Sequence, residues 1–337
     1  MKFRNTLILV LSSTLAPAGA GERSTFAFTW ENDSFLDFFG GRYTDRHYTQ
    51  GLILSFYHRD AVQGGDDFFK SAEITRLVPH FGMDIEATRG GIALGQQMYT
   101  PEEIEIANRL IQDDRPYAGY LFLQPQWERR GMAPSFWGGR RVPTRDRFSV
   151  SLGLVGPSSR AEDIQTKWHE LFNGVEPSGW DFQLQDEFTI NFHAERTWLF
   201  TTRSDTSTFH FDLMPSIGFD LGSVSTRLTT GLEARFGIGH IHEFTTSALE
   251  SGESRYGGYL FGTARGWAVA HNIFLDENVY QASHSVDKEG FVGEVSLGVG
   301  FHTNCLDFRA AWVRRSTEFD LQDVPNSYLS ATMGFRF

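Results

Sequence analysis

The chain has a single cysteine, Cys305, among 337 residues. That leaves no disulfide framework, no thiolate metal site and no partner for a redox role. Positive charge is also short: 30 Lys and Arg stand against 42 Asp and Glu, for a net charge of −12. Two of those positive charges, Lys2 and Arg4, fall in the first few residues. The balance argues against nucleic acid as a partner. An anionic lipid stays open, met by local arginine clusters or a bound cation. Past residue 20 no apolar run approaches the roughly 18 residues that a spanning helix needs. No Gly-x-Ser-x-Gly elbow, His-Glu-x-x-His pair or phosphate-binding loop occurs.

The two ends supply what the middle lacks. Lys2 and Arg4, the apolar stretch Leu7 to Leu15, and Ala18-Gly19-Ala20 read as a signal peptide over residues 1–20. The other end, NSYLSATMGFRF, alternates polar and apolar residues up to Phe337. An exported chain ending on a strand that finishes in Phe looks like an outer-membrane β-barrel. Aromatic residues make up 15% of the chain and glycine 34 positions, as interfacial girdles and tight turns require. A spanning protein with no spanning helix must be a closed barrel, because backbone groups in lipid have to pair internally. Residues 21–337 are therefore expected to form one all-β, transmembrane antiparallel barrel; a soluble periplasmic sandwich is the plainer alternative.

Turn signals divide thirteen candidate strands, roughly 24–33, 48–58, 89–98, 117–129, 146–155, 186–199, 208–220, 228–237, 257–269, 271–282, 289–302, 305–316 and 327–337. A single-chain barrel should have an even number, so one of these is split or wrong. Residues 59–88, 130–145 and 240–256 read as long loops, expected on the outer side. Cys305 falls in a hairpin region and is expected to be a buried or lipid-facing, inert thiol. Two stretches have helical rather than β character. In 159–173, Ile164, Trp168, Leu171 and Phe172 recur at helical spacing, with Ser158 or Ser159 as cap. Residues 100–112 are a weaker helix, started by Pro101.

Three clusters could carry chemistry. Trp30-Glu31-Asn32-Asp33, with Thr44, Asp45 and Thr49 close behind, offers hard oxygen ligands that suit calcium better than zinc; the plainer reading is a polar Asx turn. Arg115, flanked by Asp113 and Asp114, is either an ion-paired loop residue or a fixed cation beside an anionic substrate. On the 159–173 helix, Gln165 and His169 are four apart and share a face. A histidine held there is placed as a general base near neutral pH, and the plainer reading is packing. Glu176 and Glu187 are spare carboxylates in the same region. His240 and His242 form a weak metal pair.

In this order the pieces ENDSF (31–35), TDRHYTQG (44–51), GQQMYTP (95–101), DDRPYAG (113–119), VGPSSRAEDIQTKWHE (155–170) and GWDFQLQDE (179–187) resemble the outer-membrane lipid A 3-O-deacylase family. The resemblance covers about half of the chain past the leader; beyond residue 200 only generic barrel strands remain. It implies a barrel of about twelve strands in the bacterial outer membrane, with a short helix covering the extracellular mouth and the active site between helix and wall. It implies a calcium-dependent esterase that removes the 3′-linked acyloxyacyl group from lipid A of lipopolysaccharide. Carried over, the site is Asn32, Asp33, Gln165 and catalytic His169. Thr49 is the hydroxyl residue, with Thr44 competing, and Arg115 stands near the oxyanion. Glu176 is the essential glutamate, with Glu187 as the alternative. Ca2+ would be held by Asp33 with Glu176 or Glu187. Trp180 and the lipid-facing wall would seat the acyl chains.

Other classes stay open. A serine-based outer-membrane phospholipase would need Ser34 or Ser55, neither with a clear histidine partner in sequence. A non-catalytic porin or adhesin would leave the Gln165–His169 helix as a plug. A barrel that has kept the fold and lost the activity is a further possibility.

Overall fold

A computed structural model describes residues 24–33, 46–58, 67–106, 109–172, 175–202, 208–239 and 256–337. The leader, Thr44, His240 and His242 lie outside these residues. The wall is built from β1 (Thr25–Asn32), β2 (His47–Tyr57), β3 (Asp84–Thr100), β4 (Ala118–Pro134), β5 (Arg141–Val155), β6 (Glu187–Trp198), β7 (Phe200–Thr201), β8 (Phe209–Gly222), β9 (Ser225–Gly239), β10 (Gly257–Asn272), β11 (Phe291–His302), β12 (Leu306–Arg315) and β13 (Ser327–Arg336). Apart from β6 and β7, each strand pairs with its sequence neighbour, β1 pairs with β13, and β6 pairs with β8 to close the ring. The two-residue β7 continues β6 past Leu199 along β8, so the closed antiparallel wall counts twelve strands. Closure leaves no unpaired edge, as a wall in lipid must.

The even count comes from one correction. Residues 271–282 are not a strand: β10 runs through to Asn272, whose side chain accepts from Phe274 N–H and caps the helix Ile273–Asp276. A local cap outweighs alternation here because the chain has reached the rim. Among the described residues the α-helices are α1 (Ser71–Ile74), α2 (Ala161–Phe172) and α3 (Ile273–Asp276). The helix expected at 159–173 is α2. Its serine cap is absent, since Ser158 donates instead to Asp186 at 2.8 Å and Arg160, in the left-handed region, precedes the helix. Residues 100–112 do not form the second helix: the described part makes turns in which Glu102 N–H binds Asp114.

Alternation sets two faces. Inward positions are polar or aromatic, with ion pairs such as Arg309–Glu233 and Arg235–Asp212 across strands. Phe274 of α3 stacks on Tyr99 at a 4.1 Å centroid distance, and below it lies a polar cavity of about 490 Å³. Outward positions carry the apolar girdle. β1, β3, β5, β8, β10 and β12 finish at one end, where the three clusters also lie. β2, β4, β6, β9, β11 and β13 finish at the other, where the 135–140 turn, Ser24 and Phe337 also lie. Of the stretches read as long loops (59–88, 130–145 and 240–256), the described residues of the first two lie at this second end, opposite the three clusters; β3 takes 84–88, and β4 and β5 take 130–134 and 141–145. Cys305 is exposed in the β11–β12 turn rather than buried.

Candidate active site on the outer wall

Strand register defines two parallel rows on the outward face. Phe28, Leu54, Leu94, Leu123 and Leu152 are successive cross-strand partners from β1 to β5. All are exposed, the first four at 40–48%, and they belong to the girdle. Nearer the rim, Asn32, Gln50, Met98 and Gly119 are likewise successive partners. They face outward too, yet Asn32, Gln50 and Met98 are 4% exposed or less. Polar residues in a buried outward row need a cover.

The cover is α2 with its flanking loops. Ala161 and Ile164 pack with Met98, Ile104, Tyr117 and Trp180. Gly119 permits the approach, since a Cβ there would collide with Ser159 and Ala161. Gln96, also outward, donates to the Ser159 carbonyl at 2.7 Å. Tyr117 donates to the Ile104 carbonyl at 3.0 Å, and Ser178 N–H donates to the same oxygen at 2.9 Å. The helix therefore covers this end of the barrel by lying on its outer wall.

Three predicted residues meet at the β1–β2 corner. A bulge between Tyr48 and Gln50 makes Thr49 the extra residue and re-aims it. Its hydroxyl pairs with that of Thr100 at 2.8 Å. The Thr49 carbonyl accepts from Asp33 N–H at 3.3 Å and Asn32 Nδ2 at 3.4 Å. Asp33, 2% exposed, accepts from Arg46 N–H at 2.8 Å. The corner is a buried set of hard oxygens: an amide, a carboxylate and a hydroxyl. That chemistry fits Ca2+.

On α2, buried Gln165 accepts from the Trp180 indole at 2.9 Å. Trp180 is fully buried by this bond and by Tyr117, 4.9 Å away between ring centroids. It is a support for the helix and does not seat acyl chains. His169 contacts the Val175 carbonyl through Nδ1. A carbonyl only accepts, so Nδ1 carries the proton and Nε2 is the basic nitrogen of the neutral ring. Glu176, exposed, directly follows Val175 in the chain, and its carbonyl accepts from the Ser178 hydroxyl at 3.3 Å.

Two carried-over residues lie elsewhere. Glu187 takes an inward position, and its carboxylate accepts from Val279 and Tyr280 N–H, each at 3.2 Å. Arg115 is fully buried with Nη1 3.3 Å from Glu318 and its guanidinium 4.9 Å from the Tyr99 ring centre, on the lumen side. A buried guanidinium needs a carboxylate, and Glu318 supplies it. Burial disfavours charge on Glu318, but Arg315 and Arg115 outweigh it and hold the carboxyl below its ordinary range. Burial pushes the Asp114 carboxyl up. Among the described residues no group of three His, Cys, Asp or Glu side chains gathers, so Asp33, Glu176 and Glu187 do not form one cluster. Sequence reading missed Gln50, Gln96 and Thr100. Their signal was polarity at outward positions of strands otherwise apolar on that face.

A family model described as "Outer membrane protein LpxR" matches residues 6–337. Among solved structures, "LpxR from Salmonella typhimurium" is similar with a TM-score of 0.70 and 17% identity, covering 93% of this chain and 100% of that one. The β domain of the Bordetella autotransporter BrkA matches with a TM-score of 0.39 and 10% identity over 95% of this chain and 99% of that one. No curated protein matches. The barrel's place is the outer membrane, and the chain belongs to the outer membrane protein LpxR family.

Proposed function

We propose that the chain is a calcium-dependent esterase that removes the 3′-linked acyloxyacyl group from lipid A of lipopolysaccharide. Family membership supports action on lipid A. The observation that carries the chemistry is His169, its Nδ1 proton held by the Val175 carbonyl on a helix laid against the outer wall. A site there opens onto lipid, not onto the lumen. The exposed row Phe28, Leu54, Leu94 and Leu123 continues from it toward the membrane centre. Acyl chains can stay against that wall, at about 0.8 kcal/mol for each CH₂ kept from water.

His169 Nε2 takes a proton from water as the water oxygen bonds to the ester carbonyl carbon. The tetrahedral adduct collapses by breaking the bond to the sugar 3′ oxygen. That oxygen receives the proton from His169, and the fatty acid departs. Gln165, fixed by Trp180, orients the substrate beside the base, and Glu176, one residue past the Val175 carbonyl that holds His169, would be the essential glutamate. Asn32, Asp33 and Thr49 would hold Ca2+. When bound, Ca2+ would supply a Lewis acid for the carbonyl oxygen. Nothing favours the serine phospholipase reading: Ser55 lines the lumen and Ser34 lies outside the described residues.

The test is mass spectrometry of lipid A incubated with the refolded protein, with calcium or with excess chelator. Loss of the 3′-acyloxyacyl mass only with calcium is expected. Loss in both would reject the metal; cleavage of phospholipid in place of lipid A would reject the substrate.

A further inference from the structure

At the end that carries the chain termini, the outer wall has a second cover. Thr88, Gly90, Trp127, Arg129, Asp146, Phe148 and Arg196 are outward positions of β3 to β6, on the same faces as the exposed Leu94, Leu123, Leu152 and Ile190. Bare, Arg129, Asp146 and Arg196 would set three charges against the membrane boundary. They are instead buried or half-buried under residues 67–83. Arg129 donates to the carbonyls of Thr75 at 2.6 Å, Val78 at 2.8 Å and Pro79 at 2.6 Å, and to Asp146 at 2.8 Å. Arg196 donates to Asp146 at 2.6 Å and to the His80 carbonyl at 2.8 Å. Trp127 donates to the Phe69 carbonyl at 3.2 Å, and Gly90 makes room for Phe69 and Ser71. The segment is thus clamped to the wall through its own backbone.

Its other side is apolar. Phe68 is 73% exposed, Leu77 83% and Phe81 73%, and Trp137 on the neighbouring β4–β5 turn is 78% exposed. Lys70, Arg76 and Arg140 lie among them and are also exposed, with the exposed Glu73 3.8 Å from Lys70. Aromatic and aliphatic side chains mixed with cations, continuous with the girdle, are the pattern of a membrane–water interface.

We propose that residues 67–83 with Trp137 form an interfacial belt that seats Phe68, Leu77, Phe81 and Trp137 in the headgroup–acyl boundary of the leaflet on the side of the chain termini. The occupant is phospholipid. The continuity of the patch with the lipid-facing wall favours it over a second copy of the chain. The inference does not rest on the esterase reading, since it concerns the opposite end of the barrel.

The full chain carrying Cys305→Ser is spin-labelled at Leu77→Cys, Leu94→Cys or Asn304→Cys and reconstituted in vesicles of phosphatidylethanolamine and phosphatidylglycerol. The ratio of oxygen to nickel-chelate accessibility reads depth. At Leu77 it is expected to lie severalfold above the Asn304 turn and to approach Leu94. A value matching Asn304 would overturn the belt. Low accessibility to both reagents with dipolar broadening would overturn it in favour of a dimer. On protein without labels, bromine placed near the phospholipid headgroup should quench a tryptophan component that Trp137→Phe removes; unchanged quenching in that variant would also overturn it.

Discussion

Trp180 donates its indole N–H to the side-chain oxygen of Gln165 at 2.9 Å, and both side chains are buried. The bond ties the turn at 180–182 to α2 and fixes which way the Gln165 amide faces. Trp180→Phe keeps most of the packing and removes that donor. It should cost about 1–3 kcal/mol and lower deacylation with the barrel intact. Heat-modifiable migration together with the lipid A assay checks this; full activity in the variant would deny Gln165 a positioned role.

Gly119 is the point where α2 approaches β4. Gly119→Ala should displace the start of α2, because the new Cβ meets Ser159 and Ala161. Turnover should fall while refolding yield holds. Tryptophan accessibility and activity measured side by side would show whether the two effects separate.

Asp33 is the carboxylate of the oxygen-rich corner. Asp33→Asn keeps its shape and removes its charge. The calcium needed for half-maximal activity should rise by about tenfold or more. A calcium titration reads this directly, and an unchanged midpoint would move the ion away from Asp33.

Glu318 sits between Arg115 and Arg315, which hold its carboxyl below its ordinary value. Its folded form therefore loses the proton more readily than the unfolded one. The stabilisation is present above the unfolded pKa and is lost as pH falls through the folded one, so it fades in the acid range below about pH 4.5. Asp114, whose pKa burial raises, works in the opposite sense. Glu318→Gln should flatten the acid limb of thermal stability, and an unaltered limb would contradict the pairing.

Much of the barrel could be read from alternation, because inward and outward environments differ at every second residue. The extra strand at 271–282 came from the same rule applied past the rim, where the Asn272 cap takes over. The helix that carries Gln165 was readable from its spacing, while Asn32 and Thr49, which the structure brings to one corner, were named from motif order. What sequence could not give was the face on which each residue lands. Arg115 and Glu187 lie close to the motifs in the chain, yet the wall separates them from the outward corner. Trp180 looked like a lipid contact because bulky aromatics in a barrel usually are. Its hydrogen bond and its neighbour Tyr117 show a support instead. The outer position of α2 needed strand register, which no single segment encodes.

The most direct test compares the full chain with its His169→Ala variant on lipid A in calcium, followed by mass spectrometry. The parent should lose the 3′-acyloxyacyl mass. The variant, still heat-modifiable, should be slower by about 10²–10⁴-fold. A folded variant that cleaves at the parent's rate would contradict His169 as the base and the outer-wall site with it.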